Sequence, residues 1–250
     1  MPEPAASVLE ARAAAVPLKP YEPPVPVYTP KPAPKPAGEV LPPPPIVSLP
    51  PGDKQTRWNM LLELVRNDAT CKAHVRPGKK VVLGAGSVEA KIMFVGEAPG
   101  ADEDRLGKPF VGVSGQLMDR MFDAIGMSRE RDLYITNILF WRPPGNRTPT
   151  LAEQAVCLAF TRRHIELARP KLVVLAGGTS AKAMLDTTEG IMRLRGKWAT
   201  LKLDDGTEMP AMPTFHPAYL LRTPASKRQS WLDLLAIDKK LGELGVKVSS

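Results

Sequence analysis

Lys91-Ile92-Met93-Phe94-Val95-Gly96-Glu97-Ala98-Pro99-Gly100 is an apolar run that stops in a Gly/Pro turn carrying a carboxylate. A short uninterrupted apolar run bounded by a turn reads as a strand buried on both faces. Met209-Pro210-Ala211-Met212-Pro213-Thr214-Phe215 is a second run, and it ends in His216. Its prolines cannot donate to a ladder, which predicts an edge or irregular position. Leu133-Tyr134-Ile135-Thr136-Asn137 and Lys171-Leu172-Val173-Val174-Leu175-Ala176 supply two further strands. Val81-Val82-Leu83 reads as a short strand before a turn at Gly84-Ala85-Gly86-Ser87. Helical patterns alternate with these runs: Thr56 to about Arg66, Ser114 to about Ile125, Thr150 to about Ala168, a short one to about Leu185, and Ser226 to Leu244. Ser114 is a candidate N-cap, and Thr150 with Glu153 has the spacing of a capping box. Such alternation implies an α/β fold with a mainly parallel sheet covered on both faces. Polar groups at the carboxyl ends of its strands are then the candidate ligand site.

The chain opens on Pro-rich runs such as Pro30-Lys31-Pro32-Ala33-Pro34-Lys35-Pro36 and Pro42-Pro43-Pro44-Pro45. These favour extended, solvated backbone and cannot pack a core. Residues 1–52 are therefore expected to form a disordered arm, and residues 53–250 a single folded domain. Up to Lys54 the five basic residues (Arg12, Lys19, Lys31, Lys35, Lys54) balance five acidic ones (Glu3, Glu10, Glu22, Glu39, Asp53), so the net charge of +8 sits on the folded part. A basic domain suits a polyanion, although charge alone does not select one. No apolar run approaches the ~20 residues that span a bilayer. The N-terminus has no basic segment followed by an apolar core, and the two cysteines, Cys71 and Cys157, form no disulfide framework. Together these predict a cytoplasmic protein. Neither G-x-x-x-x-G-K-[ST] nor G-x-G-x-x-G occurs, which argues against a nucleotide-binding α/β protein.

Between the two strand ends lie Gly107-Lys108-Pro109-Phe110-Val111-Gly112 and Thr136-Asn137-Ile138-Leu139-Phe140-Trp141-Arg142-Pro143-Pro144-Gly145-Asn146-Arg147. With Val95–Gly100 and Phe215-His216-Pro217-Ala218-Tyr219-Leu220-Leu221 they form four segments in a fixed order. The set resembles the fourth family of uracil-DNA glycosylases, from about Trp58 to about Leu244. The resemblance implies a three-layer α/β/α sandwich around a four-stranded parallel sheet. It also implies a monofunctional enzyme that extrudes uracil from DNA and hydrolyses its N-glycosidic bond, acting as a monomer. A catalytically weak DNA-binding scaffold with the same fold is the competing reading.

Each site residue has an ordinary reading beside the one the resemblance implies. Asn137 at a strand end commonly caps a turn; its amide can also pair with a carbonyl and an N–H of uracil at once. Phe110 alone would be a core residue, whereas the family stacks uracil on the matching ring, an interaction of about 1–3 kcal/mol. Gly96, Ala98, Pro99 and Gly100 would let backbone approach the base. Glu103 first and Glu97 second are the candidate catalytic carboxylates, because Ala98 stands where better-known relatives carry a water-activating aspartate. His216 is a candidate donor to the uracil oxygen, while His74 and His164 read as surface residues. Arg142, Asn146, Arg147, Arg222, Lys227 and Arg228 are candidate DNA contacts. Pro217 and Leu220 or Leu221 would enter the minor groove, as apolar wedges do elsewhere. The strip Arg193–Trp198 reads as added basic and aromatic surface.

Most members of the resembling family carry a four-iron, four-sulfur cluster on four cysteines. Only Cys71 and Cys157 match; Asp68 and Trp141 stand at the other two places. Tryptophan cannot serve as a ligand, so the cluster is expected to be lost and no cofactor is expected, with Cys71 and Cys157 vestigial.

Overall fold

The computed structural model describes residues 48–75 and 81–246, so nearly all of the proline-rich arm lies outside the described residues. Six strands form one sheet: β1 (Gly84–Gly86), β2 (Ile92–Gly96), β3 (Leu133–Asn137), β4 (Leu172–Ala176), β5 (Ala199–Lys202) and β6 (Glu208–Thr214), in the order β1-β3-β2-β4-β6-β5. The four inner strands are parallel, and β1 and β5 run antiparallel at the two edges. The four-stranded expectation thus describes the centre of the sheet and misses its margins. Ala199–Lys202 is only four residues long and alternates buried with exposed, too short for its pattern to stand out. It covers β6, so the proline-bearing strand lies inside the edge; its Pro210 and Pro213 face neighbours in the ladder. The pairing of Gly84–Gly86 with Thr136, Ile135 and Tyr134 likewise turns the expected turn into a strand.

Helices α1 (Lys54–Asn67), α2 (Ala69–His74), α3 (Ala101–Leu106), α4 (Val113–Asp123), α5 (Leu151–Ala168), α6 (Gly178–Leu185), α7 (Ile191–Leu194), α8 (Pro217–Arg222) and α9 (Lys227–Glu243) complete the described fold. Side chains of a strand alternate between faces, and here both faces are covered. Met93 and Val95 of β2 join Trp58, Leu61, Cys157 and Phe160 of α1 and α5. Ile92 and Phe94 join Met118, Phe122, Leu234 and Ile237 of α4 and α9. This is why β2 reads as an uninterrupted apolar run: every residue of it is buried. Leu49 already packs on the first of these clusters, ahead of α1.

The expectation for His164 is corrected. It is fully buried between Trp58 (ring centroids 5.1 Å apart) and Tyr134 (6.0 Å), and neither ring nitrogen makes a well-formed hydrogen bond. His164 sits between Arg163 and Ile165 on the 18-residue α5, where its polarity masks the burial that its helical position imposes. Burial drives its pKa from 6.5 down to about 3, against a smaller opposing pull from the Phe160 carbonyl. The unfolded chain takes up a proton below pH 6.5 that the folded chain refuses until about pH 3. Stability from this group is therefore full above pH 6.5 and falls by ~1.4 kcal/mol per pH unit below it. Denaturant unfolding should show His164→Phe flattening the stability curve between pH 6.5 and 5 by about 2 kcal/mol. Parallel curves for the two proteins would refute the assignment.

Candidate active site

The chain passes from β2 to β3 on one side, then crosses to β4 on the other side of β2. That reversal opens a crevice at the carboxyl ends, where open sheets bind ligands. A pocket of about 490 Å³ lies there. Its floor is set by register, since Gly96 and Asn137 are paired at the last rung of β2 and β3. A Cβ on Gly96 would lie 2.4 Å from Asn137 Oδ1 and 2.5 Å from Phe110 Cζ, so only glycine lets these two side chains meet. Asn137 is 1 % exposed, and neither Oδ1 nor Nδ2 has a hydrogen-bond partner. Leaving a buried polar group unpaired costs about 1–3 kcal/mol. Both orphans sit on one amide that lines the pocket.

Phe110 forms a wall of the same pocket, edge-on to Phe94 (5.1 Å) and tilted against His216 (5.4 Å). Its φ of 51° is left-handed, a conformation that costs a non-glycine residue about 1–3 kcal/mol and has to be imposed by the surroundings. Glu103 supplies part of that imposition. Its Oε1 accepts from the Val111 and Gly112 N–H groups at 2.8 and 2.9 Å, and its Oε2 accepts from the Gly100 N–H at 3.1 Å. Both oxygens of Glu103 are thus taken up in shaping the loop. Glu97 is half-buried on the pocket wall, and its carboxylate has no partner among the described residues. Both carboxylates line the pocket, and Glu97 is the one that the surrounding backbone leaves unbonded.

His216 follows β6 and caps α8: its Nδ1 accepts from the Ala218 N–H at 3.1 Å. An accepting Nδ1 places the proton of the neutral ring on Nε2. Burial, reinforced by the nearby Arg222 charge and opposed by Glu103, lowers its pKa to about 4. The ring is therefore a neutral Nε2–H donor at physiological pH.

The structure also brings Ala98, Pro99, Gly100, Asn146, Arg147 and Arg222 to the pocket. Arg147 is paired with Glu153 through two hydrogen bonds of 2.7 and 2.8 Å, which holds that carboxyl near pKa 2. Arg142 donates to Asn146 Oδ1 at 2.7 Å. Leu220 is buried against Leu117 and Phe215, whereas Leu221 is 39 % exposed. Pro217 is buried at the first turn of α8. Lys227 and Arg228 line a separate groove of about 430 Å³ with Leu220 and Trp231, away from the main pocket. The strip Arg193–Trp198 is corrected: Trp198 is buried and Arg195 is ion-paired with Asp233. Sequence reasoning also missed Ser114, Tyr219 and Ile191 as pocket residues. Only the position of Tyr219 within the His216 segment offered a hint.

Cys71 and Cys157 are fully buried as neighbouring free thiols behind the first core cluster. Burial first, and the adjacent Cys71 second, push the Cys157 thiol well above its ordinary pKa. Asp68 is occupied as the cap of α2, accepting from the Cys71 N–H at 2.8 Å. Trp141 is buried, stacked on His74 at 4.6 Å. Two cysteines, a capping carboxylate and an indole do not supply the four ligands of a four-iron cluster. Among the described residues no group of three or more His, Cys, Asp or Glu could hold a metal ion.

The pocket thus brings together an aromatic ring, an unpaired amide and, beside the ring, a neutral imidazole. The sequence pattern of the uracil DNA glycosylase superfamily matches residues 83–236, and the chain belongs to that superfamily. Within it the similarity is to the type-4 branch. The chain is 39 % identical over 175 residues to a type-4 uracil-DNA glycosylase of Thermotoga maritima, covering 70 % of this chain and 88 % of that one. It is 36 % identical over 178 residues to that of Pyrobaculum aerophilum, covering 70 % and 89 %. With that of Archaeoglobus fulgidus it shares 37 % over 188 residues, covering 73 % and 92 %.

Proposed function

We propose that the protein is a monofunctional uracil-DNA glycosylase that extrudes uracil from DNA and hydrolyses its N-glycosidic bond. The observation that carries this is the doubly orphaned amide of Asn137 beside the Phe110 ring. Uracil presents an imide N–H next to a carbonyl, which one amide satisfies through its oxygen and its NH₂ together. Stacked on Phe110, the base has both edges fixed. As the bond to the sugar lengthens, negative charge moves onto the uracil oxygen, and a neutral Nε2–H of His216 stabilises it without prior deprotonation. Glu97, free of partners, orients water and faces the developing sugar cation. Glu103 holds the loop that carries Phe110. Leu221, the exposed leucine of α8, fills the vacated stack, while Arg142, Asn146, Arg147, Arg222 and Lys227 serve the phosphates. No lysine lines the pocket among the described residues, so the abasic product is left uncut.

The unit from residue 53 onward carries this activity as a monomer, without an iron–sulfur cluster. Among the described residues no helix is long and apolar enough to cross a membrane. Incubation with a uracil-containing oligonucleotide in the presence of chelator, followed by alkali, tests the reading. Cleavage at the uracil position supports it, and intact single- and double-stranded substrate refutes it.

A pH dependence follows from the His216 tautomer. With its pKa held near 4, the ring stays neutral through the range in which an ordinary histidine titrates. Single-turnover excision should therefore show no inflection at pH 6.5 and should fall only as the pH approaches 4. A rate that halves near pH 6.5 would show that the ring is not desolvated in the working enzyme.

A further inference from the structure

The loop that carries Phe110 is gripped from two sides, and only one grip lies in the pocket. Glu103 takes the amide hydrogens of Val111 and Gly112. The carbonyls of the two preceding residues are taken by Arg129, from the loop between α4 and β3. Its Nη1 donates to the Pro109 oxygen at 3.1 Å, and its Nη2 donates to the Phe110 oxygen. Its Nε donates to Asp119 Oδ1 at 2.8 Å, which fixes the guanidinium plane against α4. The Arg129 side chain is 16 % exposed, and it does not line the pocket. On the remaining side Gly115 lets the first turn of α4 approach; a Cβ there would come within 1.9 Å of the Phe110 oxygen.

One backbone polar group on each of four consecutive residues is thus fixed by two charged side chains of opposite sign. The residue at their centre has the left-handed φ of 51°. The planar fork of arginine suits this task, since it meets two adjacent carbonyls and a carboxylate at once, which an ammonium cannot do with the same geometry. We infer that Arg129 is a positioning residue for base excision. It touches neither base nor DNA, and sets the ring of Phe110 for stacking by holding that residue in its strained backbone conformation. This rests on the uracil-excision reading above for its functional consequence, but not for its structural one.

The structural arm is activity-independent. In wild-type protein, nuclear Overhauser contacts should connect the Phe110 ring to the rings of Phe94 and His216, and Arg129→Met should lose them while the contacts between Phe94 and Phe122 persist. The functional arm is a double-mutant cycle in single-turnover excision. Arg129→Met should slow excision about 30-fold in wild-type background and less than about 3-fold in a Phe110→Ala background, because the ring it orients is gone. Arg129→Lys, which keeps the charge and the fold, should fall between, at about 5-fold. Equal losses in the two backgrounds, or unchanged ring contacts in Arg129→Met, would overturn the proposal. Should Arg129→Met fail to fold, the lysine variant carries the same cycle, with equal losses again refuting it. A wild-type protein with intact ring contacts and no uracil release would instead refute the excision reading.

Discussion

Asn137→Ala should lower single-turnover uracil release by about 10³-fold and change affinity for undamaged duplex less than about threefold. The two numbers separate because the amide meets only the extruded base, whereas most DNA affinity comes from phosphate contacts. The substitution also removes two buried unpaired polar atoms, so the free protein should keep its stability or gain some. Loss of activity with equal or higher melting temperature is the signature of a group retained for its ligand. His216→Ala should show the same separation, with a further sign in its pH profile. If either variant loses DNA affinity and rate in equal measure, these side chains hold the fold and do not read the base.

The second large effect is on stability. Trp141→Ala should cost about 3–5 kcal/mol, as truncation of a buried aromatic does. Trp141 is 3 % exposed and stacks face to face on His74, so its removal opens a void in the first core cluster beside α2. Cys71→Ser keeps the volume and adds a hydroxyl beside Cys157; about 1–3 kcal/mol is expected. Urea unfolding of the two variants gives the comparison. The same packing argument requires the purified protein to be colourless, with negligible iron by elemental analysis. A brown preparation, or a cysteine variant less stable than the tryptophan variant, would mean that a cluster occupies this place.

Much of this fold was legible because its strands are buried on both faces. Ile92–Gly96 and Leu172–Ala176 announce themselves as apolar runs, and the capping pair Thr150 and Glu153 marks the start of α5 with both hydrogen bonds present. What escaped depends on partners distant in sequence. β1 and β5 exist only because Tyr134 and Ala211 offer them a ladder. The inward turn of Leu220 and outward turn of Leu221 depend on Leu117, a hundred residues earlier. The site behaves the same way. Phe110, Asn137 and His216 were readable as motif residues and line one pocket, with Gly96 packed against the first two. The occupation of Glu103 by three backbone N–H groups was not readable, because carboxylates in an acidic turn look alike until the loop folds over one of them.

Both margins of the sheet are closed against growth. An unpaired strand edge is a template on which another chain can add, and long flat edges aggregate. Here one edge is three residues long, Gly84–Gly86, and contains two glycines. The other, Ala199–Lys202, points Thr200 and Lys202 to solvent. The Lys202 carbonyl already accepts from Arg162 at 2.6 Å, and its ammonium pairs with Glu208 at 2.8 Å. A second molecule adding a strand at this edge would have to displace that guanidinium, and would gain only a few backbone hydrogen bonds in return. The two antiparallel additions to the parallel centre thus act as end-stops, keeping a sheet with a wholly buried middle from extending into its neighbours.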